Sequence, residues 1–278
     1  MRATPHDDAL AGFSQACERQ TRDDAEGILG CAGALSALLG HGVLEGFLAG
    51  GLERLLSEPE FVPASVGGAL VLARGRRWRL ALQVLSPGAR PATVEGPAEH
   101  LLVGAMGPAP LEVERHTEEP VARDDVFDPG RRLLPEASRT LLRGDVLVLA
   151  AGRDVCVPRP TAPTVIVSVS AGPVRPLRWF YDGTTCRAVR AVAGDPTASR
   201  LELTAELLAE LGGAAAAPTL IQLTEHPAHH VRWSALRALS RVDTGAAQDR
   251  LQLAADDPHP HIRTAARRTL ARLAESLT

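Results

Sequence analysis

The chain of 278 residues contains no lysine; all 30 of its basic side chains are arginines. That absence excludes a Schiff-base lysine, a lysine general base and a P-loop lysine. A GC-rich coding sequence explains it without any special role for arginine. Aromatic residues make up 3% of the chain against 45% hydrophobic residues in all, so its cores are expected to be Leu, Val and Ala. Cysteine is sparse: Cys17, Cys31, Cys156 and Cys186 stand far apart, with no C-x-x-C pair. No apolar run reaches the ~18 residues of a membrane helix, and no charged segment leads into an apolar one at the start. The expectation is a soluble cytoplasmic protein with reduced thiols and no membrane partner. A net charge of −3 supplies no basic field, so nucleic acid is not expected as a partner.

What is present is clearest at the C-terminal end. Asp195-Pro196, His226-Pro227 and Asp257-Pro258 recur at a step of 31 residues. Val189, Leu220 and Leu251 keep the same step, as do Leu208, Leu239 and Leu270. Val231-Arg232 matches Ile262-Arg263, and Ala235 matches Ala266. A fixed period of this size marks stacked supersecondary units, none of which buries its apolar face alone. Each unit reads as a first helix with an apolar pair, a proline that closes it, and a second helix that buries Ala and Leu. The stretch DPHPHIRTAARRTLARL carries the pattern best. It resembles the HEAT-like repeats of the phycobilisome-lyase type, which implies docking of a protein partner rather than catalysis. Three repeats are expected within 184–278, at 187–212 (a degenerate cap), 218–243 and 249–275. Arg232 and Arg263 are expected to pair with turn carboxylates such as Asp257.

Five of the nine histidines fall in this region: His226, His229, His230, His259 and His261. A histidine cluster invites a zinc reading. Their places on turns and helix starts favour solvated polar residues instead.

From residue 61 to 183 the texture changes to short alternating apolar runs broken by Gly and Pro: GALVLAR, WRLALQVL, EHLLVGAM, LEVER, DVLVLAA, VCVPR, TVIVSVS and LRWFYD. Such spacing predicts an antiparallel sandwich or barrel rather than a parallel α/β sheet. The polar connection HTEEPVARDDVFDPGRRLLPEASRT is long enough to serve as a lid. Trp78, Trp179 and Tyr181 are read as packing residues.

Two segments resemble the motifs of cupins, with a Trp-led entry strand similar to the cysteine dioxygenase-like branch. WRLALQVLSPGARPATVEGPAEHLLVGAMG is similar to the first motif. LLRGDVLVLAAGRDVCVPR is similar to the second, with Gly144-Asp145 opening a strand and Gly152 in the turn. The resemblance implies a jelly-roll barrel, an iron-type metal centre and a homodimer through a sheet edge. The implied imidazole positions, however, carry Thr93, Glu95 and Val155; only the implied carboxylate is met, by Glu99. Carboxylates without imidazoles suit hard ions, not a non-haem iron centre. The favoured expectation is therefore a pocket without a metal cofactor, with Glu95 and Glu99 as candidate acid and base and Thr93, Arg90, Arg153 and Val155 as ligand-binding residues. Arg90 or Arg153 is expected to pair with the two glutamates or to hold an acidic ligand. A rearranged metal site, for iron, would draw on Glu95, Glu99, His100 and Cys156. A one-residue register slip is needed to turn the last two inward. A barrel that is purely structural is the third reading.

Residues 1–60 read as helices: apolar residues recur at three- and four-residue steps, with Asp7-Asp8 and Asp23-Asp24 at helix starts. Cys17 and Cys31 are read as packed thiols. A helical front end also resembles that of cupin-type anti-sigma factors, which use a His and Cys zinc cluster there. Cys31 is followed by Ala-Gly-Ala with no second cysteine nearby, which counts against that reading. The whole is a multidomain α+β chain: helices, a cupin-like β domain that binds an unidentified small molecule, and a HEAT array for docking. Alternatives are a metal dioxygenase-type enzyme and a non-catalytic scaffold.

Overall fold

The computed structural model describes residues 5–40, 42–58, 60, 64–66 and 68–276. Contacts divide the chain into two compact units, residues 1–122 with 128–194, and residues 123–127 with 195–278. The N-terminal helices therefore share a unit with the sheets. The second boundary falls after Gly194 rather than at 183.

In the first unit, helix α1 (Pro5–Gln20), a 3-10 turn (Glu26–Cys31), α2 (Ala32–Gly40) and α3 (Val43–Ser57) precede thirteen strands among the described residues. Asp24 accepts the Gly27 N–H at 3.0 Å and so starts the 3-10 turn. Gly42, at φ +63°, enters α3 through a left-handed conformation that side chains disfavour. The strands are β1 (Ser65–Val66), β2 (Ala69–Arg74), β3 (Trp78–Leu85), β4 (Thr93–Gly96), β5 (Leu101–Ala105) and β6 (Leu111–Glu118). They continue as β7 (Leu133–Pro135), β8 (Arg139–Leu141), β9 (Val146–Leu149), β10 (Asp154–Arg159), β11 (Thr164–Ala171), β12 (Leu177–Asp182) and β13 (Ala188–Ala193). All eight runs read from alternation are strands; β1, β4, β7 and β8 are too short or too polar to stand out, and β13 falls in the stretch read as the first repeat's helix.

The strands pair antiparallel in three sheets: β1-β2-β3-β11-β5-β9, then β10-β6-β7 with β8 beside β6, and β13-β12-β4. Neighbours far apart in sequence, such as β3-β11-β5, give the crossed connectivity of a jelly roll. The sheets are open and do not close into the expected barrel. One face of the six-stranded sheet packs on the helices, where Phe13, Cys17, Ile28, Cys31, Leu35 and Leu39 meet Leu80, Leu102, Val167 and Val169. Trp78 meets Phe13 edge-on at 5.7 Å, and its Nε1–H donates to Glu18 at 3.1 Å. Cys17 and Cys31 are thus packed thiols. The opposite face carries Val103, Ala105 and Ile166 against Leu111, Val113 and Leu141, with Cys156 packed beside them. On the other side of β6, Glu118 is fully buried and paired with Arg131 (2.6 Å) and Arg175 (2.9 Å). Arg131 also lies over the Trp179 ring at 4.5 Å.

The second unit holds α4 (Pro196–Leu211), a 3-10 turn (Gly213–Ala216), α5 (Ala217–Leu223), α6 (His229–Val242), α7 (Thr244–Ala254) and α8 (Pro260–Ser276). Asp195 caps α4 by accepting the Thr197 N–H at 2.8 Å, with Pro196 in the first turn. The 31-residue step is visible in burial: Val231 and Ile262, Ala235 and Ala266, Leu220 and Leu251 are all buried. The first copy differs. Its expected first helix is strand β13, and Val189 is 52% exposed. Alternating AVRAVA can be either element, and pairing with β12 decides it. The centre of the polar connection expected to act as a lid, residues 123–127, groups with this second unit. Three of the histidines expected to be solvated are not: His259 is 2% exposed, His229 stacks on it with ring centres 3.5 Å apart, and both ring nitrogens of His230 are buried. Among the described residues, no single helix is long and apolar enough to cross a membrane.

Candidate functional site

Strand parity decides what faces the space between the sheets. Ile166, Ser168 and Ser170 lie on one face of β11, and Ile166 belongs to the apolar cluster there. Ser170 accepts a hydrogen bond from Arg79 at 3.2 Å, which puts Arg79 on the same side. Arg79 lies 3.7 Å from Glu99. Arg178, from β12, reaches both glutamates: Nη2 donates to Glu99 at 3.2 Å and Nη1 is paired with Glu95 at 3.1 Å. Two carboxylates and two guanidiniums thus form one chain, Glu95–Arg178–Glu99–Arg79–Ser170. Glu99 is 15% exposed and Glu95 47%, so the chain runs from the interior to its edge. The Arg178 Nε–H is buried and has no hydrogen-bond partner.

The two glutamates are therefore on a shared face, as their spacing predicts, but their partners are not those expected. Arg90 pairs with Glu114 at 3.3 Å, and Arg153 with its neighbour Asp154 at 2.9 Å. Neither is paired with Glu95 or Glu99. The Asp154 carboxyl, which burial pushes up, is held low by Arg153 and by the Ala150 N–H. Arg178 and Arg79 were missed. The available signal was parity: each is a charged residue flanked by buried apolar ones, in LRWFYD and WRLALQVL, which turns it to the opposite face of its strand.

The second motif is out of step by one residue. Val155 is buried and stands opposite His116; Cys156 stands opposite Arg115 and packs with the apolar cluster between the sheets. It is Cys156, not Val155, that occupies the inner face. Burial pushes its thiol up to about 12, more than the nearby Arg115 lowers it. The turn before β10 bends through Gly152 at φ +79°, and one residue there flips every side chain that follows. Thr93 is exposed at the edge of β4.

His100 is turned away from the glutamates. Its Nδ1 accepts the Ala151 N–H at 3.0 Å, and burial holds it below the usual imidazole range despite Glu26 and Asp24. Glu95, Glu99, His100 and Cys156 are thus committed to Arg178, Ala151 and the apolar cluster. Among the described residues, three or more metal-ligating side chains converge at His229, His259 and His261, in the other unit. The donor set of the sheets does not fit the metal implied by the cupin motifs. What it supplies is charge-paired hydrogen bonding: two carboxylates as acceptors and two guanidiniums as donors.

Residues 187–271 match the HEAT_2 family of HEAT repeats. The chain joins those repeats to a unit of antiparallel sheets. No curated protein matches the sequence. Similar solved structures include two hydroquinone 1,2-dioxygenases, one of them from Sphingomonas sp. TTNP3. They are 15% and 16% identical, with TM-scores of 0.29 and 0.27, over 39% and 40% of this chain and 66% and 69% of theirs. A sugar phosphate isomerase of the cupin superfamily from Silicibacter pomeroyi is 15% identical, with a TM-score of 0.27, over 42% of this chain and 64% of its own. A likeness at this level carries no inference about chemistry.

Proposed function

We propose that the chain is a small-molecule-binding protein whose sheet unit works without a metal, and whose HEAT repeats dock a protein partner. The observation that carries this reading is Arg178. Its two terminal nitrogens hold Glu95 and Glu99, while its Nε–H is buried without an acceptor. A buried donor left unpaired costs about 1–3 kcal/mol, so such a group calls for a reason. A ligand oxygen, from a hydroxyl, carbonyl or carboxylate, supplies one. Glu99 and Arg79 then fix the ligand's remaining polar groups. Four unbridged cysteines suit a reducing cytoplasm.

The test is a thermal-shift screen of hydroxy acids, sugar phosphates and aromatic acids, with wild type and Arg178→Gln. A ligand at 100 times its Kd stabilises by about 2.7 kcal/mol. Stabilisation of the wild type that is lost in Arg178→Gln and kept in the exposed-site control Arg54→Gln is the expected result. Equal stabilisation in all three proteins, or none in any, would sink the reading. Docking is supported by Leu203, Leu207 and Leu211, exposed at four-residue steps along α4.

A further inference from the structure

We infer that His229, His259 and His261 form a binding site for a divalent transition metal, zinc being the best fit, on the repeat unit. The three side chains come from matching turns of successive repeats, at the starts of α6 and α8. Each offers a ring nitrogen, and these nitrogens all lie within 4.8 Å of one another. The rings of His229 and His259 are near-parallel at 3.5 Å, and His261 meets His259 at 5.1 Å and 75°. Nitrogens sharing one tetrahedral zinc at about 2.0 Å stand about 3.3 Å apart, so small side-chain rotations close the site. Three imidazoles are the donor set that zinc, copper and nickel prefer over magnesium or calcium.

The surroundings are those of a ligand set. His259 Nε2 lies 3.0 Å from the backbone oxygen of Asp125. A carbonyl oxygen only accepts, so Nε2 carries the proton and Nδ1 keeps its lone pair. Orientation of a ligating histidine by a carbonyl on its far nitrogen is the usual outer shell of such sites. His259 Nδ1 is meanwhile engaged only by the His261 N–H, at a long 3.3 Å. The turn itself is held by Asp257, which accepts the His259 N–H at 2.7 Å and is gripped by Arg232.

A second observation also points to a ligand. Both ring nitrogens of His230 are buried without a hydrogen-bond partner, with its ring 5.1 Å from that of His229. His229, His230 and His261 line a groove of about 520 Å³ together with Glu202, Glu206 and Trp233. Three protein ligands leave a fourth position open toward that groove, for water or for a carboxylate. Repeats placed at a fixed step bring equivalent turns side by side, and that alone assembles the three imidazoles.

The experiment uses the full chain, stripped with a chelator. Calorimetric titration with zinc chloride is expected to give one equivalent with a Kd near or below about 1 μM. Cobalt(II) is expected to give the intense visible bands of a tetrahedral ion. His229→Ala and the exposed His261→Ala are each expected to weaken binding by roughly 10- to 100-fold or more. Circular dichroism confirms that each variant is folded. His226→Ala and the Glu95→Gln/Glu99→Gln pair are expected to bind as wild type. Absence of zinc uptake, uptake unchanged in the His229→Ala/His261→Ala double variant, or loss on changing Glu95 and Glu99 would each overturn the assignment. The last outcome would move the metal to the sheets and remove the reading proposed above as well.

Discussion

Arg232 grips Asp257 of the next repeat through both carboxylate oxygens, at 2.9 and 2.6 Å, with the two side chains only 13% and 9% exposed. The same guanidinium donates to the carbonyls of His226 and Pro227 at 2.9 Å. One planar fork therefore joins the end of one repeat's turn to the start of another's. Arg263, its equivalent one step later, bonds the backbone oxygen of Asp257 rather than a carboxylate. Removing one member of such a buried pair costs about 3 kcal/mol or more, because the other charge is stranded. Asp257→Ala is expected to lower the urea midpoint of the helical transition accordingly. Arg232→Lys is expected not to replace Arg, since an ammonium cannot make the bidentate contact. A midpoint unchanged within about 0.5 kcal/mol would show the pair to be incidental.

Two glycines in the N-terminal helices are predicted to behave oppositely. A methyl group on Gly27 would collide with the backbone oxygen of Gln20, which has no cheap way to move. Gly27→Ala is expected to cost about 1–3 kcal/mol through a shift of the 3-10 turn against α1. Gly12 lies exposed within α1 with open space around its Cβ direction. Gly12→Ala is expected to stabilise by about 0.5–1 kcal/mol. Thermal melts of the two variants decide; the same sign for both would contradict the packing described.

Cys156 predicts an alkaline limb of stability. Its folded value of about 12 lies above the ordinary thiol value of 9.0, chiefly through burial. The neutral thiol is favoured in the folded state, so its contribution is complete below pH 9 and is lost as pH rises from 9 toward 12. Urea midpoints of wild type are expected to fall more steeply over that interval than those of Cys156→Ser, whose hydroxyl does not titrate there. Parallel pH profiles would mean that the thiol is not enclosed as described.

The repeats could be read from sequence because each copy solves the same burial problem with the same residues: Ala235 and Ala266 fill equivalent tight positions, and Val231 and Ile262 equivalent apolar ones. The longer strands could be read because alternation survives wherever one face is buried, as in β3 and β11. What failed depends on distance in the chain. Nothing near Glu95 or Glu99 says that their partner is Arg178, some eighty residues on. Burial of His259 follows from Asp125, which arrives from the connection between the strands. Val189 keeps the repeat's step yet lies in a strand, because a six-residue apolar alternation next to β12 gains more from a ladder than from an unfinished helix. The one-residue offset at Val155 and Cys156 is set by a glycine turn, where family spacing is a poor ruler.

Strand β13 has a consequence for dissecting the molecule. The family match begins at residue 187, but residues 188–193 are hydrogen-bonded into the sheet through Leu177–Ala193 and its neighbours. A fragment cut at the start of the match would carry an unpaired apolar edge away from its ladder and leave the complementary edge bare on β12. Cut instead at Asp195, the fragment begins on its own helix cap. The border by which the repeats are recognised and the border at which they can be taken apart are different places in this chain.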